Sequence, residues 1–329
     1  MTYIEQLQEK GVEHITKEDV QKLLTLSGNF QQELFQWARE VRREVKADKV
    51  LLRGVIEISN YCNKNCDYCA MRTTNTELNR YTLHSDDIIS IATAIKNTGI
   101  KVVFLQGGQN STNDHLLEQV IPIIKNELNL EVLLCLGERP LHVYEKFAQL
   151  GADSYILKFE SSDAKLYEEI CHTPLARRLE YIKWIKSAGL KLGTGNIVGL
   201  HNQTLISLVD DIFLGIKIQP DFISSSPFIP GMNTPMQNDI SGNSDIALNT
   251  MAIWRITLRT PRIPAVSALE TVCKDGQKMG LNAGANVITI NFTPKENQNL
   301  YKIYSERRFV VNLDHALRTI ESAGLQVLK

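Results

Sequence analysis

The chain has 329 residues, 43% of them hydrophobic, which is enough for a large buried core in a single domain of barrel size. A formal net charge of -1 and a pI near 6.7 leave no basic stripe for nucleic acid, and no apolar run reaches the length of a membrane-spanning helix. Three clustered cysteines and three scattered ones (Cys135, Cys171, Cys273) do not make a disulfide framework, and the first residues have neither a basic n-region nor an apolar h-region, so a cytoplasmic enzyme with reduced thiols is expected.

Residues 1–48 read as a helical cap, with Thr16 and Asp19 spaced as a capping box and Phe30, Leu34, Trp37, Ala38, Val41 and Val45 on one helical face. Leu51 to Ile58 forms a buried strand. Ile88, Ile91, Ala92 and Ile95 mark a helix that ends at Gly99, and Lys101 to Leu105 a second strand. Further strands are expected near 131–136, 154–158, 190–197, 221–226, 263–266 and 285–290. Helices are expected near 114–127, 141–150, 175–188, 204–216, 244–259, 271–281 and 313–323. Eight strands alternating with helices predict a complete (β/α)8 TIM barrel over residues 49–329, behind the N-terminal helical extension.

The chemistry concentrates just after the first strand, in Ile58-Ser59-Asn60-Tyr61-Cys62-Asn63-Lys64-Asn65-Cys66-Asp67-Tyr68-Cys69. Cys62, Cys66 and Cys69 follow a C-x3-C-x2-C spacing on a loop at the C-terminal end of a strand, where parallel barrels keep their active sites. A structural zinc site wants four closed ligands, usually as paired knuckles. Three cysteines without a fourth suit a 4Fe-4S cluster with one iron left open. Other strand ends carry further candidates. Gly107 and Gly108 bare the backbone after the second strand; Lys158 and Glu160 end the fourth; Arg178 opens the helix before the fifth and can grip a carboxylate bidentately. Gly195 and Ile197 lie at the end of the fifth strand. The loops Ser226 to Gly231 and Ile290 to Pro294 face the same mouth. Tyr301 and Tyr304, three residues apart, either share a helical face over that mouth or pack in the core.

The cysteine spacing resembles the radical S-adenosylmethionine (SAM) signature, and nearly the whole chain is similar to the full-barrel group containing biotin synthase, methylornithine synthase and the FeFe-hydrogenase maturase HydE. Likeness to HydE rests on Glu57 to Cys62, Arg72, Arg80-Tyr81, Leu136-Gly137-Glu138, Gly195 to Leu200, Pro227 to Pro230, Ile263-Pro264-Ala265, Gly284 to Ile288, and Leu300-Tyr301-x-x-Tyr304. The resemblance implies that Cys62, Cys66 and Cys69 bind the cluster and that Tyr68 stands beside the SAM adenine. It further implies that the Gly107-Gly108 turn and Glu160 take the SAM amino group, that Arg178 takes the carboxylate, and that Gly195 and Ile197 flank the adenine. Lys158, Tyr301 and Tyr304 are then substrate-side residues. A small-molecule or metal-complex substrate, a flavodoxin or ferredoxin-type reductant and other hydrogenase maturases are the implied partners of a monomer. In HydE the substrate would be a cysteine-bound iron carbonyl cyanide unit whose sulfur the radical attacks. The chain departs from HydE in having Lys158 where HydE has arginine, Gln109-Asn110 where an acidic pair often follows the glycine turn, and no C-terminal cysteine cluster. The strand residues that hold the second cluster of biotin synthase are also missing. An amino-acid isomerase or sulfur-chemistry enzyme of the same group, or an iron-sulfur scaffold or sensor without turnover, remain the alternatives.

Overall fold

The computed structural model describes residues 1–304 and 308–328. Three helices come first: α1 (Tyr3–Lys10), α2 (Lys17–Leu24) and α3 (Gly28–Lys46). The expected capping box exists, because Thr16 accepts from the Asp19 backbone and Asp19 accepts in return from the Thr16 backbone. Strands and helices then alternate: β1 (Lys49–Ser59), α4 (Ser85–Asn97), β2 (Val102–Gly107), α5 (Asp114–Pro122), β3 (Glu131–Cys135), α6 (Leu141–Leu150) and β4 (Ser154–Ile156). Two helices, α7 (Ala164–Cys171) and α8 (Leu175–Ser187), separate β4 from β5 (Lys191–Val198), followed by α9 (Leu205–Ile218), β6 (Phe222–Pro227) and α10 (Ser244–Leu258). The chain continues through α11 (Ser267–Val272), α12 (Gly276–Asn282), β7 (Val287–Asn291), α13 (Lys295–Gln298), α14 (Leu313–Ser322) and β8 (Gln326–Val327).

Seven strands form one curled parallel sheet in the order β6-β5-β4-β3-β2-β1-β7, and the short β8 pairs with the start of β1. The strand expected near 263–266 is not one. That segment lies between the edge strands β6 and β7 and makes only isolated parallel bridges, Phe222 with Arg262 and Pro264 with Val287. Pro261 and Pro264 have no N–H to give to a ladder, which is why bridges form here and a strand does not. What is established is therefore a curled seven-stranded α/β sheet. Other differences are local: the single helix expected over 271–281 is split into α11 and α12, and α7, α13 and β8 have no counterpart in the sequence reading.

Alternation along the strands divides the core. Val50, Leu52, Ile56 and Ile58 of β1, Val103 and Leu105 of β2, and Val132 and Leu134 of β3 join the large cluster shared with the helices. Their neighbours Leu51, Val55, Val102, Phe104, Leu133 and Val287 form a second, smaller cluster on the concave face. Further toward the strand ends the concave positions turn polar, giving Arg53, Glu57, Gln106, Cys135, Lys158, Thr289 and Asn291. An apolar floor with a polar rim above it is the setting for a ligand site.

Candidate active site

A cavity of about 390 Å³ opens at the C-terminal ends of the strands. Of the residues singled out from sequence, Tyr68, Lys158, Glu160, Arg178, Ile197 and Tyr304 line it. Both expected mouth loops contribute, through Ser226, Pro227, Phe228 and Ile229 and through Asn291. Tyr301 does not reach the wall: it is buried against Met71 and Leu78. Residues 301–304 also lie beyond α13, so the two tyrosines do not share a helical face.

The cysteine loop is pinned from several directions. Asn63 N donates to Gln109 O at 2.8 Å, Asp67 N to Ile170 O at 2.8 Å, and Arg72 pairs with Asp67 at 3.0 Å. Arg80 donates to the carbonyls of Asn60, Met71, Arg72 and Asn75, tying the loop to the segment that follows it. Cys62 and Cys69 pack beside Met71, Leu78 and Tyr301, whereas Cys66 is buried with Ile170, Cys171, Ile197 and Phe228. Burial pushes the Cys62 and Cys69 thiols up. Cys66 is pulled down, chiefly by its interaction with the Cys171 thiol, against the effect of burial. Among the described residues no three His, Cys, Asp or Glu side chains converge on a single metal ion. Three thiols on one short loop, Cys66 buried and Cys62 and Cys69 half-buried, suit the three protein-held corners of a cluster with an open iron.

Close backbone approach explains the glycines. A Cβ on Gly108 would lie 2.3 Å from Tyr61 O and 2.8 Å from Cys62 Cβ, so the cysteine loop rests directly on this residue. Gly107 is similarly close to Ser59 O at 3.2 Å. At Gly195 φ is +152°, and a Cβ would stand 1.9 Å from Ser224 O. Gly107, Gly108 and Gly195 let neighbouring backbone come close, and none of the three is among the residues that line this cavity.

Lys158 and Glu160, expected to face different ligands, are paired with each other: Lys158 Nζ is 3.2 Å from Glu160 Oε2. The approach is too oblique for a hydrogen bond, and Glu160 Oε2 remains a buried acceptor without a hydrogen-bond donor. Glu160 also sits in the left-handed region at φ 61°, a strained conformation for a non-glycine residue, held by Glu160 N to Gly195 O at 3.0 Å and Ile197 N to Glu160 O at 2.9 Å. That strain turns the carboxylate into the cavity.

Arg178 is buried; its Nε donates to Tyr167 Oη at 2.6 Å and lies 3.3 Å from Glu138 Oε1. Burial opposes its charge, but Tyr167 and Glu138 more than offset this and hold it above the ordinary arginine value. Glu138 in turn takes Lys64 of the cysteine loop at 3.0 Å. Burial alone would raise its carboxyl, and Arg178 and Lys64 hold it below the usual range. Glu138 thus links the cysteine loop to the arginine, a role no spacing in the sequence revealed. Arg53, Glu57 and Arg308 were also missed. Arg308 grips Glu57 through two bonds of 2.5 and 3.0 Å, and Arg53 stacks over Phe104 at 4.8 Å while bonding Thr289 at 2.6 Å. The signal for Arg53 and Glu57 was their position on the concave period of an otherwise apolar strand.

The sequence profile of the Radical SAM superfamily matches residues 56–214. The chain is 34% identical to the [FeFe] hydrogenase maturase subunit HydE of Thermotoga maritima, over 96% of this chain and 91% of that one. It is 28% identical to the 3-methylornithine synthase of Methanosarcina acetivorans, over 84% and 79% respectively. In fold it is similar to the crystal structure of methylornithine synthase, with a TM-score of 0.85, 23% identity, and 98% and 97% of the two chains covered.

Proposed function

Since this chain belongs to the radical SAM superfamily, we propose that it is a HydE-type enzyme that directs radical chemistry at a small anionic substrate held inside the sheet. It is a radical SAM enzyme whose cofactors are a 4Fe-4S cluster and SAM. When bound, these supply a 5'-deoxyadenosyl radical. In this reading Cys62, Cys66 and Cys69 hold the cluster, and the orphaned Glu160 oxygen accepts from the SAM amino group, helped by the backbone of the Gly107-Gly108 turn. Arg178 faces the SAM carboxylate, and Tyr68, Gly195 and Ile197 flank the adenine. Lys158 supplies a point charge to the substrate, Tyr304 contacts it, and Tyr301 supports the loop from below. The segment around Pro264 closes the curl into a complete barrel behind the 1–48 cap, a reading supported by Ile223 N to Arg262 O at 3.1 Å and Ala265 N to Val287 O at 2.9 Å. A cytoplasmic monomer fed by a flavodoxin or ferredoxin-type reductant, working beside other hydrogenase maturases, completes the proposal.

The observation that carries the HydE reading is similarity along the full length of both chains. A second reading, an amino-acid substrate as for methylornithine synthase, is favoured by the 28% identity to that enzyme over 84% of this chain, and Lys158 leaves it open by offering a point charge where HydE has the planar fork of arginine. The test is FeFe-hydrogenase maturation in a system lacking its own HydE. Poor activity of the wild-type chain, improved by Lys158→Arg, is the expected result. Failure of both proteins, with SAM cleavage intact, would overturn the HydE substrate and leave the amino-acid reading.

A further inference from the structure

One reactive side chain in the cavity has no part in the chemistry above. Cys135 ends β3 on the concave side, packed on the apolar floor of Leu51, Val55, Phe104 and Leu133, and it is one of the residues that line the cavity. It is separate from the cysteine loop, which sits over Gly108 at the end of β2. No hydrogen bond engages its sulfur among the described residues, so its S–H is free to point at a ligand. Burial, followed by the Glu160 carboxylate, pushes the thiol up to about 12, so it keeps its hydrogen at neutral pH. Two further groups mark the same space as a ligand position. Arg53, 6% exposed, has Nη1 buried without a partner, and Glu160 Oε2, although ion-paired with Lys158, accepts no hydrogen bond.

An S–H bond is weaker than the C–H bonds of an alkyl chain, so a thiol in the wall of a cavity where carbon radicals form will surrender its hydrogen atom to any radical it touches. We propose that Cys135 is the catalytic hydrogen-atom donor that ends the reaction, quenching the carbon-centred product radical of a substrate anchored through an anionic group at Arg53. The inference rests on the radical SAM reading of the site and on the amino-acid reading of its substrate, in which the radical abstracts hydrogen from carbon; a radical that adds to sulfur would leave no such product radical to quench. In balanced form, the product radical takes the hydrogen atom of Cys135 and becomes closed-shell product, leaving Cys135 as a thiyl radical. One electron from a low-potential one-electron carrier and one proton from solvent then restore the thiol. Because the hydrogen atom comes from Cys135, 5'-deoxyadenosine is not converted back, and SAM is consumed once per turnover.

The thiol hydrogen exchanges with water, and this gives a direct assay. The reconstituted holoenzyme is incubated in D2O with SAM as the only organic substrate and titanium(III) citrate as reductant, so that the SAM-derived radical itself meets the thiol. The readout is deuterium per molecule of 5'-deoxyadenosine, a ratio independent of the rate of cleavage. Wild-type protein should place solvent deuterium in the 5'-methyl group, and Cys135→Ser should reduce it several-fold, since a hydroxyl bond is too strong to donate. Cys135→Ala should do the same, and iron content and the visible spectrum report that each variant is loaded. Equal deuterium in wild type and both variants would overturn the assignment. Deuterium that survives Cys135→Ser but is lost in Tyr304→Phe would overturn it in favour of the phenol. No 5'-deoxyadenosine from the wild type would overturn the radical SAM reading together with this one.

Discussion

Arg178 illustrates how far one side chain can be argued. It is a buried cation with a phenol on its Nε and a carboxylate alongside, and it lines the same cavity as Tyr68 and Glu160. Charge-assisted hydrogen bonds contribute about 1.5–3 kcal/mol each, which corresponds to roughly ten- to hundred-fold in affinity. Arg178→Ala should therefore weaken SAM binding by about one to two orders of magnitude. The cluster should be retained, because Glu138 keeps Lys64 at 3.0 Å and the loop keeps its own anchors. Titration of SAM into the anaerobically reconstituted variant, followed by the cluster EPR signal, measures both. Unchanged affinity would return Arg178 to a purely structural partner of Tyr167 and Glu138. From the sequence alone a solvated helix charge was the simpler account of Arg178, since nothing in Arg177-Arg178-Leu179 says which arginine turns inward. The buried face of α8, with Leu175, Arg178, Ile182 and Ile185, settles it.

At the scale of elements, the cysteine loop and the end of β2 have to be read together. Gly108 is glycine because Tyr61 O and Cys62 Cβ occupy the space a side chain would need. Backbone cannot yield as a flexible side chain does, so Gly108→Ala should displace the loop while β2, buried in the sheet, stays in place. Iron bound per chain after anaerobic reconstitution should fall markedly, with the far-UV circular dichroism unchanged. Full iron loading would show that the loop has slack in this direction. The motif and its strand were legible because spacing alone carries them. Helix α7 was not, although Asp163 caps it and Leu166, Tyr167 and Ile170 fall at helical spacing, because an alternation of strand and helix needs only α8 between β4 and β5. The consequence is that the sequence leaves Cys171, whose thiol bears on Cys66, as one of three scattered cysteines. The proline-rich segment between β6 and β7 was read as a strand from its position in the alternation, and its missing N–H groups prevent that.

Over the whole molecule, alternation predicted the parallel sheet, and the cavity lies at the strand ends where the strand-end rule looks for one. What sequence could not supply were contacts between residues far apart in the chain, such as Glu57 with Arg308 or Ser162 and Asn196 with Asp211. The last of these controls how stability responds to pH. Asp211 of α9 is fully buried behind the β4 and β5 ends. It accepts from Ser162 N and Ser162 Oγ at 2.6 Å each and from Asn196 Nδ2 at 2.9 Å. Burial pushes its carboxyl up to about 7, although the three donors pull the other way. An acid whose folded value lies above its unfolded value binds more protons when folded, so it costs nothing below about pH 4 and progressively destabilises the fold as pH rises toward about 7. Asp211→Asn removes that titration. The new amide brings a donor where the carboxylate accepted, but Asn196 Oδ1 is a buried acceptor without a partner, so a flip of the Asn196 amide receives it. Thermal melts at pH 5 and pH 8 should show the wild type losing more stability over this interval than Asp211→Asn. If the two lose the same amount, Asp211 is ionised throughout and its three hydrogen bonds outweigh its burial.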